Sequence, residues 1–188
     1  MKRKLEELKS QIEQCKKCPL HKERTNIVFG RGDEHAQVMF IGEAPGAEED
    51  KTGEPFVGRA GKILELFLKQ NDITGYYISN IVKCRPPKNR VPYGNEVKAC
   101  LTYLNKQIEI INPKFIVILG NTALKYMLNR WNISLWNGKV ERKGERFYFM
   151  LLHPASAVHD PRNYPNLKEG FATLAKLLKE KKVIIMRS

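Results

Sequence analysis

Four short apolar runs, separated by segments of helical periodicity, dominate the pattern of hydrophobic positions. The runs are rich in β-branched and aromatic residues, as buried strands are, and they cover residues 38–41, 76–82, 115–119 and 147–152. Between and around them, apolar residues recur every three or four positions, which predicts amphipathic helices. These helices cover 62–70, 95–111 and 167–178, with a short one around Leu5, Leu8 and Ile12 and another beginning at Asn121 or Thr122.

Strands that alternate with helices in this way predict an α/β fold, with a four-stranded parallel sheet that carries helices on both faces. The chain has 188 residues, of which 42% are hydrophobic, enough for one compact domain with its own core. It contains no internal repeat, no low-complexity segment and no composition shift that would mark a boundary. We therefore expect residues 1–188 to form a single domain.

The stretch between the first apolar run and the first long helix is dense in helix and strand breakers. Seven glycines and prolines fall between residues 42 and 61, so we expect a loop at the carboxyl end of a strand, where open α/β sheets bind ligands. The loop also carries acidic residues, including Glu43 and Glu49, and one aromatic residue, Phe56. A solvated acidic loop is the simplest interpretation, but Phe56 in such polar surroundings needs something flat or apolar to cover.

Polar residues also occur at the ends of other strands. Asn80 lies in the second apolar run, where asparagine is disfavoured, and His153 ends the fourth. Since the carboxyl ends of parallel strands are neighbours, Glu43, Asn80 and His153 could converge on one site. An amide that offers an acceptor and a donor side by side can read the edge of an amide-like ring. The alternatives are that Asn80 is a turn residue and that His153 only ends a strand.

The four cysteines suggest a metal site. Cys15 and Cys18 form a C-x2-C pair in a lysine-rich segment, and Cys84 and Cys100 are separated by fifteen residues. Disulfides are not expected, because the N-terminus carries no secretory signal and the protein should be intracellular and cytoplasmic. Buried structural thiols are one alternative. Four thiolates can otherwise hold zinc or an iron–sulfur cluster, and the spacing alone does not decide between them.

The overall charge indicates a polyanionic partner. Lysine and arginine number 33 against 20 acidic residues, which gives a net charge of +13. Such an excess on a small domain is typical of nucleic-acid binding, although a generally basic protein would share it. No apolar run approaches the roughly 20 residues of a membrane span, so no membrane partner is expected.

Taken in order, the motifs of this chain resemble those of the family 4 uracil-DNA glycosylases. The first motif comprises Gly42-Glu43-Ala44-Pro45-Gly46, then Asp50, then Gly53 to Gly61; the middle one runs from Ser79 to Pro87, and the last is His153-Pro154-Ala155-Ser156. The four cysteines match that family's [4Fe–4S] ligands in order and spacing. The resemblance covers nearly the whole chain and implies a three-layer α/β/α fold, with a cluster of structural rather than redox function.

The resemblance also implies a reaction and the residues that perform it. The reaction is hydrolysis of the N-glycosidic bond of deoxyuridine in DNA, on a nucleotide flipped out of the strand. Phe56 would stack on the base, Asn80 would pair with its O4 and N3–H, and His153 would stabilise charge on O2. Gly42 and Ala44 belong to the same binding motif. Because Ala44 stands where another branch has an aspartate, Glu43 is the expected water-activating residue, with Glu49 as the second candidate.

The implied partner is uracil-containing DNA, single- or double-stranded, bound by a monomer; a sliding clamp is a further candidate partner. The residues expected to contact DNA are Lys83, Arg85, Lys88, Arg90, Asn121, Ser156 and Arg162. Two alternatives remain at this point. The chain could be a metal-containing nucleic-acid-binding module with a vestigial pocket, or a related enzyme that also excises deaminated purines.

Overall fold

A mixed sheet of six strands forms the centre of the structure, a computed structural model that describes residues 2–186, with side chains for 3–181. The strands are β1 (Arg31–Gly32), β2 (Val38–Gly42), β3 (Tyr76–Asn80), β4 (Phe115–Leu119), β5 (Val140–Lys143) and β6 (Arg146–Leu151). Their order across the sheet is β1-β3-β2-β4-β6-β5. The four inner strands pair in parallel, which confirms the parallel sheet expected from the four apolar runs.

The expected number of strands was too small, because two antiparallel edge strands complete the sheet. Strand β1 has only two residues, and β5 reads Val-Glu-Arg-Lys, so neither contains an apolar run. Strand β5 is largely exposed, and it turns into β6 through Gly144, whose φ of +62° is left-handed. A hydrophobic pattern predicts only buried strands. These two strands were missed because they are stabilised mainly by hydrogen bonds to a neighbouring strand.

Seven helices accompany the strands within residues 2–186. They are α1 (Lys2–Glu13), α2 (Ala47–Thr52), α3 (Arg59–Gln70), α4 (Gly94–Ile111), α5 (Gly120–Leu128), α6 (Ala155–His159) and α7 (Tyr164–Met186). Helix α2 corrects the expectation that the stretch between Gly42 and Gly61 holds no helix. Gly46 precedes its first turn, and Gly53 ends it with a left-handed φ of +77°, so these two breakers bound a helix rather than prevent one.

The helices and the sheet form the three-layer α/β/α arrangement, closed around one connected hydrophobic core. Helix α1 packs on α4, while α3 contacts α6 and α7. Strands β2 and β4 are buried along their full length, as strands covered on both faces must be. Within residues 2–186, no helix has the length and apolar character needed to cross a membrane.

The register of the sheet brings the functional candidates to one edge. Gly42 at the end of β2 lies opposite Asn80 at the end of β3, and Leu119 lies opposite Leu151. The backbone pairing continues past the strands, with the N–H of Val82 donating to the carbonyl of Glu43 at 3.1 Å. The segments that follow β2, β3, β4 and β6 therefore start side by side.

Candidate active site

A cavity of about 250 Å³ opens at this carboxyl edge. Glu43 and Asn80 line it from the ends of β2 and β3, Phe56 from the loop between α2 and α3, and His153 from the segment after β6. The remaining wall residues include Ala44, Gly46, Glu49, Pro86, Asn89, Arg90 and His159. The four side chains that the sequence singled out as chemically unusual thus meet at one site.

Asn80 provides a buried amide with unused hydrogen-bonding capacity. The residue is 1% exposed, and neither Nδ2 nor Oδ1 has a hydrogen-bond partner within the described residues. Leaving such a pair unsatisfied costs free energy, so a ligand that supplies both an acceptor and a donor would bind favourably. Gly42 makes room for this amide, because a Cβ at that position would lie 2.5 Å from Oδ1 of Asn80 and 2.7 Å from Cζ of Phe56.

Phe56 is held in a constrained backbone conformation at the cavity wall. Its φ is +56°, and a Cβ on Gly61 would lie 1.8 Å from its carbonyl oxygen. Arg31 on β1 donates from Nε to the carbonyl of Pro55 at 3.0 Å and so fixes the peptide before Phe56. The ring faces the imidazole of His153, with centroids 5.5 Å apart and planes inclined by 28°. Two flat groups thus border the same cavity.

The hydrogen bonding of His153 defines its tautomer. The N–H of Ala155 donates to Nδ1 at 3.1 Å, so Nδ1 is the acceptor and the neutral ring carries its proton on Nε2. Burial lowers the pKa of His153 to about 4, which keeps the imidazole neutral at pH 7. His153 is therefore a neutral hydrogen-bond donor at the cavity.

Glu43 has one carboxylate oxygen engaged and the other available. Thr122, a buried residue on α5, donates its hydroxyl proton to Oε2 of Glu43. Glu43 lines the cavity on the side that continues towards α5. Sequence reasoning placed Thr122 only at a helix start and did not identify it as the partner of Glu43. The signal was its position directly after β4, at the same sheet edge.

Two further acidic residues between Gly42 and Gly61 hold this stretch of the chain together. Glu49 accepts hydrogen bonds from the backbone N–H groups of Gly46, Val57 and Gly58 at 2.8–3.1 Å, which ties α2 to the start of α3. Asp50 is 3% exposed and accepts from the N–H of Thr25 at 3.0 Å. These contacts hold in place the loop that positions Phe56.

The four cysteines line one small cavity beneath the loop that follows β3. All four are free thiols, with Cys84 and Cys100 buried and the C-x2-C pair half-buried. No group of three or more His, Cys, Asp or Glu side chains in residues 3–181 is arranged to hold a metal ion. The wall also carries the cations Lys17, Arg24 and Lys83, which suit anionic thiolates.

Arg24 is a residue near the thiols that sequence reasoning missed. Its Nη1 donates to Sγ of Cys84 at 3.3 Å and to the carbonyl of Cys15 at 3.0 Å, so it bridges the two halves of the cysteine set. Burial raises the pKa of the Cys84 thiol and raises that of Cys100 to about 11. A lone arginine among many basic residues gave no signal in the sequence.

Lys83 does not fit the expected contact with DNA phosphate, because it has no exposure to solvent. Its Nζ donates to the carbonyl of Asn80 at 2.8 Å, to Oε1 of Gln107 at 2.6 Å and to Oγ of Ser79. Burial lowers its pKa to about 7. The prediction was wrong because a lysine in a basic loop is usually exposed, whereas here the side chain turns back under β3.

The other expected DNA contacts differ in how free their side chains are. Arg90 forms a two-pronged ion pair with the buried Glu96, at 2.7 and 2.8 Å, which compensates its charge. Lys88 is exposed, and Arg162 is 90% exposed although it pairs with Asp160. Of the rest, Nε of Arg85 donates to Oδ1 of Asn89, Oδ1 of Asn121 accepts from the N–H of Ile133, and Oγ of Ser156 is buried without a partner among the described residues.

A three-layer α/β/α fold with a buried amide, an aromatic ring and a neutral imidazole around one cavity defines an enzyme-like site for a flat heterocyclic ligand. The family comparison agrees with this class: residues 29–179 match the model of the Uracil DNA glycosylase superfamily, and the chain belongs to that superfamily.

Curated relatives match most of the chain. It is 48% identical over 164 residues to the Type-4 uracil-DNA glycosylase of Thermotoga maritima, covering 85% of each chain. It is 42% identical to the protein of that name from Sulfurisphaera tokodaii, covering 92% of this chain and 84% of the relative. It is 40% identical to the one from Archaeoglobus fulgidus, covering 94% of each.

Proposed function

We propose that this protein is a uracil-DNA glycosylase, which hydrolyses the bond between uracil and deoxyribose and leaves an abasic site in DNA. The superfamily membership and the names of the relatives support this reaction. The observation that carries it is the buried, unpartnered amide of Asn80 beside Phe56 and His153. Uracil offers O4 as an acceptor and N3–H as a donor, which matches the two amide atoms; cytosine presents the opposite pattern and would pair only with the amide turned by 180°.

The chemistry follows from the groups around the cavity. As the bond between C1′ and N1 breaks, its electron pair moves onto uracil and negative charge develops at O2. The Nε2–H of neutral His153 donates to this oxygen and stabilises the leaving base. The oxygen of a water molecule, held by the available carboxylate oxygen of Glu43, bonds to C1′ and transfers a proton to Glu43. Glu49 supports the loop and is not assigned the water.

A [4Fe–4S] cluster at Cys15, Cys18, Cys84 and Cys100 completes the proposal. The family resemblance and the four free thiols around one cavity support it. Four cysteine thiolates are the usual ligands of such a cluster, and these four thiols line the same cavity. The cluster would join the segment after α1 to the loop after β3 and to α4. Iron and sulfide assays on purified protein test this, and a cluster retained in full by Cys84→Ala contradicts the assignment.

We propose that residues 1–188 act as one domain, in line with the connected core of the described residues. The monomeric state, the cytoplasmic location and recruitment by a sliding clamp stay predictions. The reaction is tested by incubating the protein with oligonucleotides that contain one uracil, single- and double-stranded, and measuring released uracil together with abasic sites. His153→Ala and Asn80→Ala should reduce the rate at least a hundredfold. No uracil release from any substrate overturns the proposal.

A further inference from the structure

A second concave surface continues from the base cavity along the start of α5. It is open to solvent, has a volume of about 800 Å³ and shares a wall with the cavity that includes Glu43, Ala44, Asn89 and His153. We name it the flank groove and define it by five of the residues that line it but not the cavity: Val91, Asn121, Lys125, Trp131 and Asn132. None of these residues except Asn121 was expected to act in binding.

The flank groove has an exposed indole on a well-anchored loop. Trp131 is 59% exposed. Its carbonyl accepts a hydrogen bond from Nε1 of Trp136 at 3.2 Å, and the N–H of Ile133 donates to Oδ1 of Asn121 at 2.8 Å. The loop is therefore fixed to the start of α5 while its largest side chain stays open to solvent. A single exposed aromatic needs no explanation elsewhere on a surface, but this one lines a groove that shares a wall with the candidate active site.

We propose that the flank groove binds the unstacked bases next to the everted uracil, with Trp131 as the stacking platform. This inference rests on the proposed function and adds a subsite to it. Aromatic side chains beside positive charge are how proteins hold single-stranded nucleic acid, because every base has a face that can stack. Val91, 61% exposed, adds apolar surface, and the ammonium group of Lys125 supplies positive charge for the backbone.

The test compares variants in binding to uracil-free single-stranded DNA and to a duplex of the same sequence, measured by fluorescence anisotropy. Trp131→Ala should weaken single-strand binding about thirtyfold, the middle of the range for loss of one stacked base. Trp131→Phe should stay within about threefold of the wild type. The matched control is Leu135→Ala, which removes a 65% exposed side chain from the same loop but outside the groove, and should change nothing.

Intrinsic fluorescence gives a second readout, since the chain has two tryptophans. Single-stranded DNA should quench the wild type, and Trp131→Phe should lose most of that quenching. Equal effects of Trp131→Ala and Leu135→Ala, or equal losses on single strand and duplex, overturn the inference. Because the DNA contains no uracil, this outcome is independent of catalysis. A protein that releases no uracil overturns the proposed function, whereas a Trp131→Ala variant that binds single strands like the wild type overturns the proposed role of the groove.

Discussion

At Gly42, the site depends on the absence of a side chain. A Cβ there would overlap both Oδ1 of Asn80 and the ring of Phe56, at 2.5 and 2.7 Å. Gly42→Ala should therefore displace the amide and the ring and reduce uracil excision at least a hundredfold while the fold is retained. Gly94→Ala is the control, because its nearest contact would be 3.5 Å away. Steady-state kinetics and circular dichroism check both variants; full activity of Gly42→Ala would contradict the pocket geometry.

Lys83 should act as a positioning residue for Asn80, since its ammonium group holds the carbonyl of that residue. In Lys83→Met the hydroxyl of Ser79 can still donate to Gln107, but the Asn80 carbonyl loses this partner. We expect kcat/KM on uracil-containing DNA to fall about tenfold, mainly through kcat, as roughly one charged hydrogen bond would predict. Ser79→Ala retains the Lys83–Asn80 bond and should lose much less. Equal losses in both variants would indicate a purely structural network.

His153 links stability to pH. Its pKa is about 4 in the folded protein against an ordinary value of 6.5, so below pH 6.5 the unfolded chain binds the proton and is favoured. The folded state should lose about 2 kcal/mol between pH 7 and pH 5 through this group alone. In His153→Gln that contribution is absent, so denaturant unfolding of both proteins at both pH values isolates it. Identical pH dependence in the two would show that the imidazole is not shielded from solvent.

At the scale of elements, Glu43 at the end of β2 and Glu49 on α2 should have different roles, one in catalysis and one in stability. Glu49→Gln turns an amide NH₂ towards backbone donors and should reduce the free energy of unfolding by about 1–3 kcal/mol, while much of the activity remains. Glu43→Gln keeps an acceptor for Thr122 and should lose activity without losing stability. Unfolding curves and excision rates on both variants provide the measurement. The reverse pattern would make Glu49 the residue that activates water.

The elements also show what a hydrophobic pattern can and cannot predict. The four inner strands were predictable because each is a buried apolar run, and their parallel pairing follows from the helices between them. Helix α2 was not, because glycines that bound a helix look the same in sequence as glycines that prevent one. Strand β5 was not, because its charged residues face solvent. The hydrophobic pattern predicts which segments are buried. It does not predict elements whose conformation depends on hydrogen bonds alone.

The same distinction applies to the site. Asn80 and Phe56 could be singled out because each is unusual in its local sequence. Glu43 and His153 could be added because both follow strands whose carboxyl ends are neighbours in a parallel sheet. The supporting contacts were not predictable. Thr122 bonds Glu43, Arg24 bonds Cys84 and Gln107 bonds Lys83, and all three residues are ordinary in their local sequence. Lys83 was assigned to the surface because charge favours water, and only the three-dimensional network of Ser79, Asn80 and Gln107 explains its burial.

For the whole molecule, the question is whether the affinity for DNA depends on the net charge or on the charges near the candidate active site. The excess of +13 predicts affinity that falls steeply with salt in either case. Exposed cations occur at both ends of the sheet: Lys88 lies in the loop after β3, and Lys143 lies by a groove at the opposite end. The variants Lys88→Ala and Lys143→Ala change the net charge by the same amount, so they separate the two explanations.

We expect Lys88→Ala to reduce the slope of log affinity against log salt by about 0.7 for single-stranded DNA, the value for one lost phosphate contact. Lys143→Ala should leave the slope unchanged, because a charge further away than the screening length of about 10 Å contributes little at 0.1 M salt. Titrations at several salt concentrations measure both slopes. If the two variants gave the same slope, the affinity for DNA would depend on the basic surface as a whole. A difference confined to Lys88 would place the strand across the carboxyl edge of the sheet, beside the cavity that contains Asn80.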